Sequence, residues 1–219
     1  MPRRLIPFVE DQYYHIYNRG VNRERIFFEQ GNYLLFLRGI KKYICPQAEI
    51  IAYCLMPNHY HVLVRVKPVQ VLEVSLVGTS EVSLEKTSEV PSPLTPLSRA
   101  IKNFLIAYVK SINLRYSRVG PLFQGQFKAK PIQTFDYLLT LCIYIHANPV
   151  KDGLVAEIKD WSYSNYLEWL GERKGSLFTP EFVQENFDSP ADYEKLVMDY
   201  LKSRDLPDDI RRYLNSLDE

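Results

Sequence analysis

His59 and His61 stand two residues apart in the run LMPNHYHVLV, Leu55 to Val64. In a β-strand alternate side chains share a face, so both imidazoles project from one side while Tyr60, Val62 and Val64 fill the other. Paired imidazoles on one face are a sound way to hold a metal ion. The pattern also fits two half-exposed histidines without a role, because an HxH match is short. A metal would need a further protein ligand, and the helical stretch YIHANPV, Tyr144 to Val150, offers Asn148. Its side-chain carbonyl is an acceptable hard ligand for Mg²⁺ or Mn²⁺ beside imidazoles. Tyr144 lies four residues earlier and shares that helical face, which sets a phenol about one turn from such a metal. His146 points elsewhere on the same helix. With sixteen tyrosines in the chain, core packing is the default for any one of them.

These side chains need a scaffold. Tyr13 to Arg19, YYHIYNR, alternates like a strand and stops at Gly20, and Asn32 to Ile44 has helical spacing closed by Pro46. Ile50 to Leu55 and Tyr60 to Val66 are β-rich runs that pair as a hairpin through Met56-Pro57-Asn58, with the HxH on the second strand. Leu97 to Tyr116 carries a helical stripe of Ile101, Leu105, Tyr108 and Ile112, and a strand-like LFQGQFKAKPI follows a turn at Gly120-Pro121. Phe135 to His146 forms another helix, expected to end before Pro149, which also disfavours the α region at Asn148. The order predicts an α+β fold with a ferredoxin-like antiparallel sheet and helices on one face. One domain over 1–170 is expected, interrupted at 67–96 by a long mobile insertion with the near-repeats EVSLVGTSEVSLEKTSEV. A charged helical extension is expected over 171–219.

Composition narrows the class. At 219 residues, with 46% apolar and 24% charged side chains, the chain suits one good core of a globular protein. No apolar run reaches membrane length, and Cys45, Cys54 and Cys142 stand singly, as reduced core thiols of a cytoplasmic protein would. The net charge of +1 conceals a segregation: from Val90 through Phe135 there is no acidic residue, yet Arg99, Lys102, Lys110, Arg115, Arg118, Lys128 and Lys130 all lie there. A basic stretch of that length is the footprint of a phosphate-binding surface. Tyr108, Tyr116, Phe123 and Phe127 are interleaved with it, as stacking platforms for bases would be, although charge runs commonly form plain solvated faces over core aromatics.

Four blocks in order, YHIYNRG, LMPNHYHVLV, GPLFQGQFKAKPI and YIHANPVKDGLV, resemble the REP-associated tyrosine transposases, of the single-tyrosine branch of the HUH endonuclease superfamily. The resemblance spans roughly Tyr13 to Tyr166. It implies that His59 and His61 form the histidine–hydrophobic–histidine motif, that Tyr144 is the nucleophile and that Asn148 replaces the third, amide-bearing metal ligand. The implied substrate is single-stranded DNA near a hairpin, cut with Mg²⁺ or Mn²⁺ through a covalent 5′-phosphotyrosine. Whether Tyr144 serves its own chain or a partner's site in a homodimer stays open, and so does the group that activates it, with His15 a weak candidate. Family members often have Trp and Arg where this chain has Phe123 and Gln126. Two other readings stand beside the enzyme. One is a non-catalytic protein that binds hairpin DNA or RNA on the same fold, and the other, ranked last, is a metallohydrolase using metal-bound water.

Overall fold

A computed structural model describes residues 7–68, 95–203, 208 and 210–213. The insertion expected at 67–96 therefore lies almost wholly outside the described residues. Four strands, β1 (Tyr13–Arg19), β2 (Ala48–Met56), β3 (His59–Val66) and β4 (Lys128–Ile132), form one antiparallel sheet in the order β2-β3-β1-β4. The β2–β3 hairpin turns at Pro57-Asn58 and places His59 opposite Met56 and Arg19. The helices are α1 (Gln30–Gly39), α2 (Pro96–Arg115), α3 (Phe135–Lys151), the single turn α4 (Tyr166–Trp169), α5 (Pro180–Asn186) and α6 (Pro190–Ser203). None among the described residues is long and apolar enough to cross a membrane.

The α+β class and the antiparallel sheet are as expected, but the helices cover both faces rather than one. Tyr14, Ile16, Leu55, Tyr60, Val62 and Val64 point into one core, packed with Phe36 and Ile40 from the α1 region and Ile101, Phe104 and Tyr108 of α2. Ile51, Cys54, Met56 and Leu63 point the other way, onto Leu141 and Ile145 of α3 and Trp169. Alternation divides each strand between two apolar sets, and both must be covered. In the first core α1 and α2 approach so closely that a Cβ on Gly39 would overlap the Phe104 ring. Thr95 caps α2 by accepting from the Ser98 amide, with Pro96 at the first helical position.

In the second core the expected extension is built in rather than appended. Tyr193 and Val197 of α6 are fully buried with Trp169. A bulge between Ile50 and Ala52 turns Ile51 toward this side, and its carbonyl accepts from Asn165 Nδ2 at 2.8 Å and Trp169 Nε1 at 3.0 Å. His146 lies under the same cover. Its ring nitrogens meet Tyr193 Oη at 2.6 Å and Asn165 Oδ1 at 2.9 Å, so it points away from Tyr144 as expected. Helix α3 does not stop before Pro149 but runs through it to Lys151, keeping Asn148 inside the helix. Proline lacks the amide donor and its ring crowds the carbonyl four residues back, a cost confined here to the helix end, where only Val150 and Lys151 follow.

Candidate active site

The second face of the sheet carries the predicted chemistry. His61 projects from β3 toward α3, and its ring meets the Tyr144 ring edge-on with centroids 6.0 Å apart. His59 and His61 are likewise edge to face at 5.0 Å. Tyr144 and Asn148 are both buried on α3, and the strand and the helix bring Tyr144 to His61. His59 is only half-buried. His61 is 3% exposed, and burial, with His59, His15, Lys151 and Arg19 around it, holds its pKa well below the usual imidazole value. It is therefore a neutral ring at physiological pH, the form that ligates metals.

Each ring has one nitrogen fixed. His59 Nδ1 lies 2.7 Å from Asn58 Oδ1. His61 Nδ1 lies 2.9 Å from His15 Nε2, and His15 Nδ1 lies 2.6 Å from the hydroxyl of Tyr213, near the far end of the chain. His15 is fully buried, and burial followed by the charge of Lys130 lowers its pKa to about 3. Its two nitrogens are thus engaged by His61 and Tyr213, which corrects its candidacy as the group that activates Tyr144. The group beside the Tyr144 hydroxyl is Lys151, whose amino group donates to Oη at 3.0 Å and lies 4.5 Å from the ring centroid. Sequence reading missed Lys151, although seven residues is almost two helical turns and returns it to the face of Tyr144. Arg19, opposite His59 on β1, is a second overlooked cation at this site.

Among the described residues no three His, Cys, Asp or Glu side chains converge as a metal cluster. A site built on His59 and His61 would need an amide as its third ligand, and Asn148 is suited to it. Its side chain is 1% exposed, and its Nδ2 is buried without a hydrogen-bond partner. An unsatisfied buried amide end costs about 1–3 kcal/mol. A half-turn of the amide would present the carbonyl oxygen there instead, where a cation would satisfy it.

The structure does not unite the basic residues. Arg99, Lys102, Lys110 and Arg115 lie on α2 and Arg118 just beyond it, on the side of the sheet away from the histidines. Arg115 pairs with Glu29, and Arg118 with Glu24 at 3.7 Å. Lys128 and Lys130 belong to β4, on the histidine face. Lys128 lies over the Tyr17 ring, and Lys130 lies 3.5 Å from the Tyr213 ring centroid while donating to Tyr137 Oη at 3.0 Å. The interleaved aromatics are not all platforms for bases either. Tyr108 and Phe123 are buried in the first core, and the Tyr108 hydroxyl donates to the Ile26 carbonyl at 2.7 Å.

No family model matches the chain. A curated Haemophilus influenzae protein named for the REP-associated tyrosine transposases is 23% identical over 137 residues, covering 62% of this chain and 69% of that protein. A solved REP-associated tyrosine transposase bound to a REP hairpin superposes with a TM-score of 0.55 at 16% identity, over 82% of this chain and 94% of that one. The chain resembles the REP-associated tyrosine transposases in sequence and in fold. The agreement in fold with that transposase structure takes in far more of the chain than the four sequence blocks do.

Proposed function

We propose that the chain is a metal-dependent endonuclease and strand transferase that recognises hairpin DNA and cuts an adjoining single strand through a covalent 5′-phosphotyrosine. The observation that carries this reading is the approach of Tyr144 to His61 within one chain, with Lys151 on the tyrosine hydroxyl. Hairpin DNA is the substrate class because the structural relative is held with a REP hairpin. A single strand is the part cut because a duplex would keep its backbone from a buried phenol.

His59, His61 and Asn148 would hold Mg²⁺ or Mn²⁺, which when bound polarises the scissile phosphate and orients its non-bridging oxygens. Tyr144 Oη attacks phosphorus, forming the O–P bond as the bond from phosphorus to the 3′ oxygen breaks. The phenol gives up its proton and the departing 3′ oxygen takes one up. Lys151 donates to Oη and so aims the phenol and favours the oxygen as it gains negative charge. The phosphotyrosine ester retains the energy of the broken bond, so a later 3′-hydroxyl can reverse the step and join DNA without a nucleotide cofactor. Tyr144 serves the histidines of its own chain in this scheme, which needs no partner subunit.

The test is incubation of wild type and Tyr144→Phe with hairpin-bearing single strands and Mn²⁺, followed by denaturing electrophoresis and peptide mapping. Wild type is expected to form a denaturation-resistant adduct on Tyr144, and the Phe variant to bind the hairpin equally yet form none. Tight hairpin binding by wild type without an adduct under any divalent metal would overturn the enzyme in favour of a binding protein. DNA mapped to Tyr137 would move the nucleophile along α3.

A further inference from the structure

Four buried or half-buried groups link the opposite ends of the chain to one histidine. His61 Nδ1 meets His15 Nε2, His15 Nδ1 meets Tyr213 Oη, and Tyr213 shares a further side-chain hydrogen bond with Tyr17. Each link holds one proton, and every link can be satisfied in two ways. In one arrangement Tyr213 donates to His15 Nδ1, His15 Nε2–H donates to His61 Nδ1, and the proton of His61 itself sits on Nε2. In the other His61 Nδ1–H donates to His15 Nε2, His15 Nδ1–H donates to Tyr213, and the Tyr213 hydroxyl turns to donate to Tyr17. The three groups carry three protons in both cases, so passing between them requires no net gain or loss. Only the second leaves the Nε2 lone pair of His61 able to receive a cation.

We infer that His15 and Tyr213 are positioning residues that fix the metal-competent tautomer of His61. The inference rests on the reading of His61 as a metal ligand. A ligating histidine ordinarily donates its other N–H to an acceptor that sets its tautomer and ring orientation. Here that acceptor is another histidine, and a neutral imidazole can accept at Nε2 only while its own proton is on Nδ1. Tyr213 supplies the acceptor for that Nδ1 proton, and it can do so because its hydroxyl has a second place to donate, on Tyr17. The rings leave little room for alternatives. His15 and His61 lie nearly parallel at 5.0 Å, Tyr213 is edge-on to His15 at 5.8 Å, and Lys130 covers the outer face of Tyr213. A carboxylate, the commoner acceptor, would add a negative charge to a buried site, whereas this relay adds none.

The experiment measures Mn²⁺ affinity by calorimetry for wild type, Tyr213→Phe and His15→Phe, and the ¹⁵N shifts of the His61 ring with and without Mg²⁺. Wild type is expected to bind Mn²⁺ and to show His61 protonated on Nδ1 when Mg²⁺ is present. His15→Phe is expected to lower affinity about 10- to 100-fold, the usual effect of removing such a partner, and Tyr213→Phe to lower it several-fold with hairpin binding unchanged. Folded variants that bind Mn²⁺ like wild type, or a magnesium-loaded His61 protonated on Nε2, would overturn the inference while leaving the metal reading intact. The ring shifts need no substitution, so they decide the matter even where His15→Phe does not fold. Wild type that binds no Mn²⁺ would overturn the metal reading itself, and this inference with it.

Discussion

The two faces of the sheet are built on different terms. The face under α1 and α2 is dry, its strand side chains almost entirely apolar and its rings packed edge to face, as Phe36 is against Phe104 at 4.7 Å and Tyr108 at 4.9 Å. The face under α3 buries His15, His61, His146 and Asn148. Polar groups there must find partners or cost free energy, and the partners come from distant segments: Tyr193 for His146, Tyr213 for His15. Stability and chemistry are therefore largely assigned to opposite sides of the same four strands. Neighbouring residues of β3, such as His61 and Val62, answer to different demands.

Substitutions that strike one face at a time would sharpen or break that division. The largest effect is expected from His61→Ala, which should bring adduct formation with Mn²⁺ to background. It should cost only about 1–3 kcal/mol in urea unfolding, since His15 loses one partner. Retained cleavage would return the motif to plain structure. On the dry face, Phe36→Ala should cost about 3–5 kcal/mol by the same measurement, with cleavage kept wherever the variant is folded. A loss of stability well below that would show a core less well packed than its ring geometry implies.

An acid-sensitive step is expected between these magnitudes. Burial lowers the pKa of His146 to about 4, against about 6.5 when the chain is unfolded. Between these values the unfolded state binds the extra proton, so stability is complete above about pH 6.5 and declines as pH falls toward 4. The loss attributable to His146 should reach about 3 kcal/mol, and His146→Gln should flatten that part of the profile. Gly39→Ala should follow, at about 1–3 kcal/mol, because its methyl group must displace the Phe104 ring.

The smallest effect concerns charge. On the proposed function a short single strand would reach Tyr144 along the histidine face, so Lys128→Ala should reduce the salt dependence of its binding by about 0.7 in the log–log slope. Joint replacement of Arg99, Lys102 and Lys110 by alanine should leave that slope unchanged for the short strand. The opposite result would carry the DNA path around to α2.

Much of this division is legible in the sequence, though unevenly. Period-two alternation shows that His59 and His61 share a face, and helical spacing puts Tyr144 with Asn148, because both signals are local. The side of the sheet on which a helix docks is not local. The stripe of Ile101, Leu105, Tyr108 and Ile112 announces a buried face without saying which one, so helices that cover both faces can be read as covering one. The basic stretch is misleading for the same reason. Contiguity in sequence from Arg99 to Lys130 does not survive the passage from α2, on one side, to β4, whose lysines face the other. Lys151 was within reach of helical periodicity, but Tyr213 was not: nothing near it in sequence marks it as a partner of His15.

The link between His15 and Tyr213 also has a meaning in time. The two residues are 198 positions apart, and at about 5–20 residues per second a ribosome takes roughly ten to forty seconds to travel that distance. The strands bearing His15 and His61 have emerged long before Tyr213, the last partner in that run of hydrogen bonds, exists. A nascent chain can therefore pair its strands and bury its aromatic side early, while the histidine side waits, its polar groups still met by water, for the segment bearing Tyr213 to close over them.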